Sequence, residues 1–303
     1  MPARSWLRVT DEIRLPFLCV EGGQAGPTLA LSGAIHGDEY EGPAALFRFL
    51  DSLASVVLRG RVIAIPVANP PAFRAISRTS PVDGANLARV FPGDGAGSAT
   101  AQVAAVIERE LIARADFFID LHTGGVRYAM PAMAGYYTHD PRSLAAARAF
   151  GAPVIWGHDV IPPGRTLSSC LARGVPFLYT EGRGGGRVDP GDTDCFERGL
   201  RNVARHLGMM GGELEGERQS RHLLGDGNVD LGAPCRHDGF FVPSVQLLEP
   251  VRAGDLIGRV LDYDGAVLSE HRAQQAGLIA MIRLCPSVLA GEPLFLIAQE
   301  AAA

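Results

Sequence analysis

The chain reads as an α/β protein: a mixed central sheet flanked by helices, followed by a small all-β C-terminal domain. Two patterns carry that reading. Over the first two thirds, short apolar runs alternate with helical stretches, as in a layered sheet-and-helix fold. After about residue 207 the helical pattern stops, and β-rich runs broken by glycine take over. At 303 residues and 47% hydrophobic composition, the chain is large enough for a substantial core and two domains. These are placed at residues 1–220 and 221–303.

The expected strands are 15–21, 28–35, 62–67, 117–121, 153–156 and 176–180, each a short apolar run. Between them lie helical patterns at 43–53, 99–114, 141–150 and 193–207. Pro43 suits the first helical position, where a missing N–H costs nothing. Residues 208–222 are rich in Gly, Glu and Arg and read as a linker. Beyond it, runs at 239–248, 256–260, 278–285 and 293–298 supply the β domain, with no amphipathic helix among them. In folds of this class, functional groups gather where strands end and loops begin.

Charged residues make up 20% of the chain and the net charge is −5. There is no basic run and no aromatic-basic interleaving, which argues against nucleic-acid binding. A small anionic substrate would have to be drawn in locally, by arginines in a pocket. The first residues lack the apolar region of a secretory signal, and no segment approaches the ~20 apolar residues of a membrane span. Cys19, Cys170, Cys195, Cys235 and Cys285 are odd in number and include no CxxC pair, so they read as reduced thiols in a cytoplasmic protein.

The most informative stretch is Ser32-Gly33-Ala34-Ile35-His36-Gly37-Asp38-Glu39. His36 and Glu39 are a pair of ligands suited to zinc if a third arrives from elsewhere. Residues i and i+3 of a strand point to opposite faces, so the pair must straddle a turn, for which Gly37 supplies freedom. Taken alone, the segment reads equally as a polar strand-to-helix loop. His122 ends another apolar strand and is the candidate third ligand. Asp120 shares its face and is placed to orient the imidazole and raise its basicity.

Glu181 follows the apolar run 176–180 and precedes a glycine-rich turn. A carboxylate at the mouth of a buried strand is costly unless paired or functional, and beside a metal it could shuttle a proton. A solvated loop acid is the plainer alternative. Arg74, Arg78 and Arg89 crowd the segment 69–95, and arginine suits both carboxylate binding and oxyanion stabilisation. Cys235-Arg236-His237-Asp238 lacks the partner pair of a four-ligand site and reads as structural or surface. His139 and His158 read as exposed loop histidines. Gly182–Gly186 lacks the Lys-Ser/Thr ending of a phosphate loop.

Four motifs together resemble the succinylglutamate desuccinylase/aspartoacylase family, deacylase relatives of the zinc carboxypeptidases. They are His36-Gly37-Asp38-Glu39, the run from Asp83 to Gly93, Asp120-Leu121-His122-Thr123-Gly124 and Thr180-Glu181-Gly182. Their order and rough spacing match the family across most of residues 30–185, and the β tail is similar to its C-terminal domain. The resemblance implies a zinc-carboxypeptidase-like sheet and one Zn2+ held by His36, Glu39 and His122. It further implies Glu181 as catalytic glutamate, Arg78 as the group polarising the scissile carbonyl, and Arg89 as the carboxylate anchor. Where the family carries Asn-Arg, this chain has Ala88-Arg89. Asn86 shares a face with residue 88 if the loop is extended, and is the candidate to replace the missing amide in substrate binding.

The implied activity is zinc-dependent hydrolysis of the amide bond in N-acylated amino acids or similar small carboxylates. The alternatives are a metallocarboxypeptidase acting on peptides and a zinc-containing binding protein without turnover. The implied partner is a small molecule, not nucleic acid or membrane. Family members often assemble, so a homo-oligomer is compatible with the resemblance.

Overall fold

The computed structural model describes residues 2–216 and 220–301. Its strands are β1 (Ala3–Arg8), β2 (Arg14–Glu21), β3 (Gln24–Gly33), β4 (Arg59–Ile65), β5 (Phe117–Leu121), β6 (Tyr128–Ala129), β7 (Met133–Tyr137), β8 (Val154–His158) and β9 (Phe177–Glu181). The later strands are β10 (Arg221–Leu224), β11 (Gly239–Pro243), β12 (Pro250–Val251), β13 (Leu256–Leu261), β14 (Val267–Arg272), β15 (Gly277–Arg283), β16 (Ser287–Val288) and β17 (Phe295–Glu300). The helices are α1 (Glu41–Ser52), α2 (Pro70–Ala75), α3 (Ala99–Glu110), α4 (Pro141–Phe150), α5 (Thr166–Arg173) and α6 (Pro190–His206).

Thirteen strands form one mixed sheet, ordered β1-β2-β4-β3-β5-β9-β7-β8-β10-β17-β15-β12 with β6 beside β15. The pairs β4–β3, β3–β5 and β5–β9 at its centre are parallel, and β9–β7 is antiparallel. A second, antiparallel sheet runs β14-β13-β11-β16. The mixed α/β architecture and the C-terminal β sheet are those expected from the sequence.

Helices cover both faces of the central strands, which is why these read as nearly continuous apolar runs. Side chains alternate across the sheet. Leu29 and Leu31 of β3, with Phe117 and Ile119 of β5, pack with Phe49 of α1 and Phe196 of α6. Ala30 and Phe118 face the other way, with Val103 and Ile107 of α3 and Leu167 of α5. By that alternation Asp120 and His122 belong to the α3/α5 face. The helix starts follow the sequence chemistry: Asp140 and Asp189 accept hydrogen bonds from the first-turn amides of α4 and α6, each ahead of a proline.

The differences lie in short elements. The linker expected at 208–222 includes residues 217–219, outside the described part, and its end is β10, paired parallel to β8. Strands β1, β6, β7, β12, β14 and β16 and helices α2 and α5 had no expected counterpart. Strands β15 and β17 join the large sheet, so the C-terminal segment is hydrogen-bonded to the strands before it. No helix among the described residues is long and apolar enough to cross a membrane.

Candidate metal centre and catalytic cavity

His36 and Glu39 lie in the loop between β3 and α1, and His122 lies just past β5, at the carboxyl ends of adjacent parallel strands. Gly37 permits the loop's path by allowing close approach. A Cβ there would lie 2.0 Å from the Ala72 carbonyl carbon of α2. The left-handed backbone residue of this turn is Ala34, with φ 48°.

Glu39 is buried between the two imidazoles. Its Oε1 is 2.7 Å from His36 Nδ1 and its Oε2 is 2.9 Å from His122 Nδ1, with a further hydrogen bond from the Thr123 amide at 3.2 Å. On the far side of each ring stands an oxygen. Asp120 Oδ2 is 3.0 Å from His122 Nε2, and Asn86 Oδ1 is 3.2 Å from His36 Nε2. Such acceptors favour an N–H on each Nε2, which leaves both Nδ1 lone pairs aimed at the Glu39 carboxylate. Lone pairs facing lone pairs at these distances call for a cation. One ligand atom from each of His36, Glu39 and His122 can be chosen so that all lie within 4.8 Å of one another. The nitrogen–carboxylate donor set is one that zinc accepts.

Burial opposes charge on His122, but Asp120 and Glu39 outweigh it and hold its pKa well above the ordinary histidine value. Burial and the Arg78 guanidinium push His36 down. Burial disfavours the Glu39 carboxylate too, yet the two histidines pull it below the usual range. Asp120 is fully engaged, accepting from Ser32 Oγ at 2.7 Å and Thr166 Oγ1 at 2.5 Å.

Glu181 ends β9, one residue beyond the pair Leu121–Thr180, which sets it beside the His122 loop. Thr180 Oγ1 accepts from the His122 amide and donates to the His122 carbonyl, both at 3.2 Å. The Glu181 Oε2 atom is buried without a hydrogen-bond partner among the described residues. Burial first, and the Glu39 charge second, raise the Glu181 pKa well above the carboxylate range. This acid lines one cavity with His36, His122, Arg78, Ala88 and Arg89.

Arg78 Nη1 is 3.2 Å from His36 Nδ1 and 3.7 Å from Glu39 Oε1, which puts the guanidinium at the donor cluster. Arg89 reaches across to the loop after β10, where Nη2 donates to Asn228 Oδ1 at 3.2 Å and to Asp230. Arg74 is exposed. The extended loop on which a substitute role for Asn86 depended is not formed: residues 87–89 make a 3-10 turn, and Asn86 caps it through the Ala88 amide at 2.9 Å. Its side-chain oxygen therefore serves the turn and His36.

Two residues at or beside the cavity had no sequence expectation, and a third departs from its own. Arg165, ahead of α5, lines it with a buried Nε that has no partner among the described residues. Asp230 contacts Arg89 and lies 3.8 Å from Arg78. The third is His158, a buried strand residue and not the exposed loop histidine expected. Its Nδ1 donates to the Gly225 carbonyl at 2.7 Å, so Nε2 accepts from the Tyr179 hydroxyl at 2.7 Å. Burial lowers its pKa to about 4 and keeps it neutral. The available signal for His158 was the apolar run just before it, which continues as strand to residue 158; none was available for Arg165 or Asp230. Cys235 is buried, with its thiol directed to the His237 carbonyl at 2.9 Å.

Known proteins resemble this chain in sequence and fold. The profile of the succinylglutamate desuccinylase/aspartoacylase catalytic domain matches residues 25–207. An N-alpha-acetyl-L-2,4-diaminobutyric acid deacetylase from Halomonas elongata is 36% identical over 95% of this chain and 86% of its own length. The crystal structure of a succinylglutamate desuccinylase from Silicibacter sp. TM1040 superposes with a TM-score of 0.87 at 33% identity, over 95% of this chain and 89% of that one. The product-bound ectoine utilization protein EutE (DoeB) from Ruegeria pomeroyi gives a TM-score of 0.87 at 31% identity, over 99% and 95% of the two chains. On the profile match and these similarities, the chain belongs to the succinylglutamate desuccinylase/aspartoacylase family.

Proposed function

We propose that the protein is a zinc-dependent deacylase that hydrolyses the amide bond of a small N-acylated amino acid. Similarity to the Halomonas deacetylase favours an N-acetylated amino acid with a side-chain amine, such as Nα-acetyl-L-2,4-diaminobutyric acid. The observation that carries the reading is the convergence of His36, Glu39 and His122 beside an unpartnered, buried Glu181 oxygen. In this reading residues 1–220 form the catalytic domain, and 221–303 form a β domain that contributes the 226–229 wall of the cavity. The five unpaired cysteines support a cytoplasmic setting.

His36, Glu39 and His122 would hold the zinc, whose chemistry when bound is Lewis-acid activation of water and of the acyl carbonyl. Asp120 and Asn86 keep the Nε2 protons of the two histidines in place and so present Nδ1 as ligand atoms. Glu181 accepts the proton of the attacking water and delivers it to the leaving nitrogen. A carboxyl group with a raised pKa suits both directions of that transfer. Arg78 donates to the carbonyl oxygen as negative charge builds on it. Arg89 anchors the substrate carboxylate, beside the space left by the small Ala88 side chain.

Glu181→Gln tests the reading. The variant is expected to retain stoichiometric zinc and to lose turnover of N-acetyl amino acids by roughly 10²–10⁴-fold, the usual worth of a general acid–base. Near-normal turnover with zinc bound would overturn it.

A further inference from the structure

Arg89, the proposed carboxylate anchor, is already engaged by a carboxylate of the protein itself. Asp230 accepts from Arg89 Nη2, and its other oxygen lies 3.8 Å from Arg78 Nη2. Asn228, from the same loop, accepts from Arg89 as well. The loop is pinned a second time where His158 donates to Gly225 O, and Gly227 fits only because it lacks a side chain. A Cβ there would lie 3.0 Å from the Tyr179 hydroxyl oxygen and 2.9 Å from a His158 ring carbon. Asp230 therefore sits in a pinned loop, against two arginines that line the cavity.

The Arg89–Asp230 pair is partly exposed, with side-chain exposures of 30% and 48%. A pair of that kind contributes little in water, so an incoming carboxylate can displace Asp230 from Arg89. Displacement leaves the Asp230 charge without its partner, next to the lining residue Val229 and within reach of a substrate side chain directed at this loop. Once substrate excludes water from the cavity, that charge acts at a lower effective dielectric and its sign matters more. A second carboxylate on the substrate would meet repulsion. A side-chain ammonium would become the new counter-ion of Asp230, converting one internal ion pair into two protein–substrate pairs.

We propose that Asp230 is the charge-selecting residue of the cavity: it exchanges its partner Arg89 for a substrate ammonium and so favours N-acyl amino acids with a cationic side chain over neutral or dicarboxylic ones. This rests on the deacylase reading above, and it assigns to one residue the selection between substrates of the same reaction.

The test is kcat/KM for three N-acetyl amino acids of similar size with an ammonium, an uncharged or a carboxylate side chain, using zinc-loaded wild type, D230N, D230E and D226N. Wild type is expected to rank them ammonium, neutral, carboxylate. D230N is expected to lose about tenfold on the ammonium substrate, mainly through KM, and to gain about tenfold on the carboxylate one. D230E should restore the order, and D226N, which alters an acid of the same loop that lines the cavity without touching Arg89, should keep it. Equal loss on all three substrates in D230N, or an order that moves with D226N and not with D230N, would overturn the proposal. Hydrolysis of all three by wild type without a charge order would overturn it while leaving the deacylase reading intact. No hydrolysis of any of them would remove both.

Discussion

Asp120 Oδ2 stands 3.0 Å from His122 Nε2, on the side of the ring away from Glu39. The same carboxylate is tied to Ser32 of β3 and Thr166 of α5, so three elements fix one imidazole. Register explains the arrangement: Ser32 pairs with Asp120 across the parallel β3–β5 ladder, and both side chains fall on the α5 face.

Asp120→Ala should therefore lower zinc affinity by roughly 10–100-fold without removing a ligand, the range typical of lost ligand-orienting partners. Competition against a chromophoric chelator measures it. Unchanged affinity would mean that the Glu39 contact alone orients His122.

Arg78 approaches the donor cluster from the other side, and its expected effect is on rate. Arg78→Ala should lower kcat by about 10²–10³-fold, as loss of an oxyanion donor does, with a smaller change in KM. Steady-state kinetics with zinc content measured in parallel separates this from metal loss. A large rise in KM with kcat intact would reassign Arg78 to substrate binding.

The contrast between these two residues shows what the sequence could convey. Asp120 was legible because it shares a strand with His122, and period 2 alone puts them on one face. The apolar runs of β3, β5 and β9 were legible because burial on both faces removes polar interruptions. Helix α2, by contrast, has six residues and too little pattern to register. The wall formed by residues 226–229, with Asp230 beside it on Arg89, depends on where a chain segment returns in space, which local pattern does not encode. His158 was misread for a related reason: its burial comes from Tyr179 and Gly225, 21 and 67 residues away.

Gly37 shows how a close approach can fix a residue type. Gly37→Ala would drive its new Cβ into the backbone of Ala72, which cannot yield as a flexible side chain could. A loss of about 1–3 kcal/mol in unfolding free energy is expected, the scale of overpacking in a dense interior. Because His36 is the adjacent residue, zinc affinity should fall with it. Denaturant melts and chelator competition on the same preparation check both effects. Wild-type values in each would show that α2 moves aside freely.

His158 supplies a pH dependence whose direction follows from burial. Its folded-state pKa is lowered to about 4, against about 6.5 for an unfolded histidine. Between those values the unfolded chain binds a proton that the folded protein refuses, so stability rises with pH across this window. The contribution is complete above about pH 6.5 and is lost progressively as the pH falls toward 4. From pH 7 to pH 5 the expected loss from this one group is about 2 kcal/mol. Urea melts of wild type and His158→Gln at both pH values isolate it, since the variant keeps every other titrating group. The wild type should lose about 2 kcal/mol more than the variant on acidification. Equal losses would mean that His158 takes up its proton in the folded protein, breaking the hydrogen bond from Tyr179.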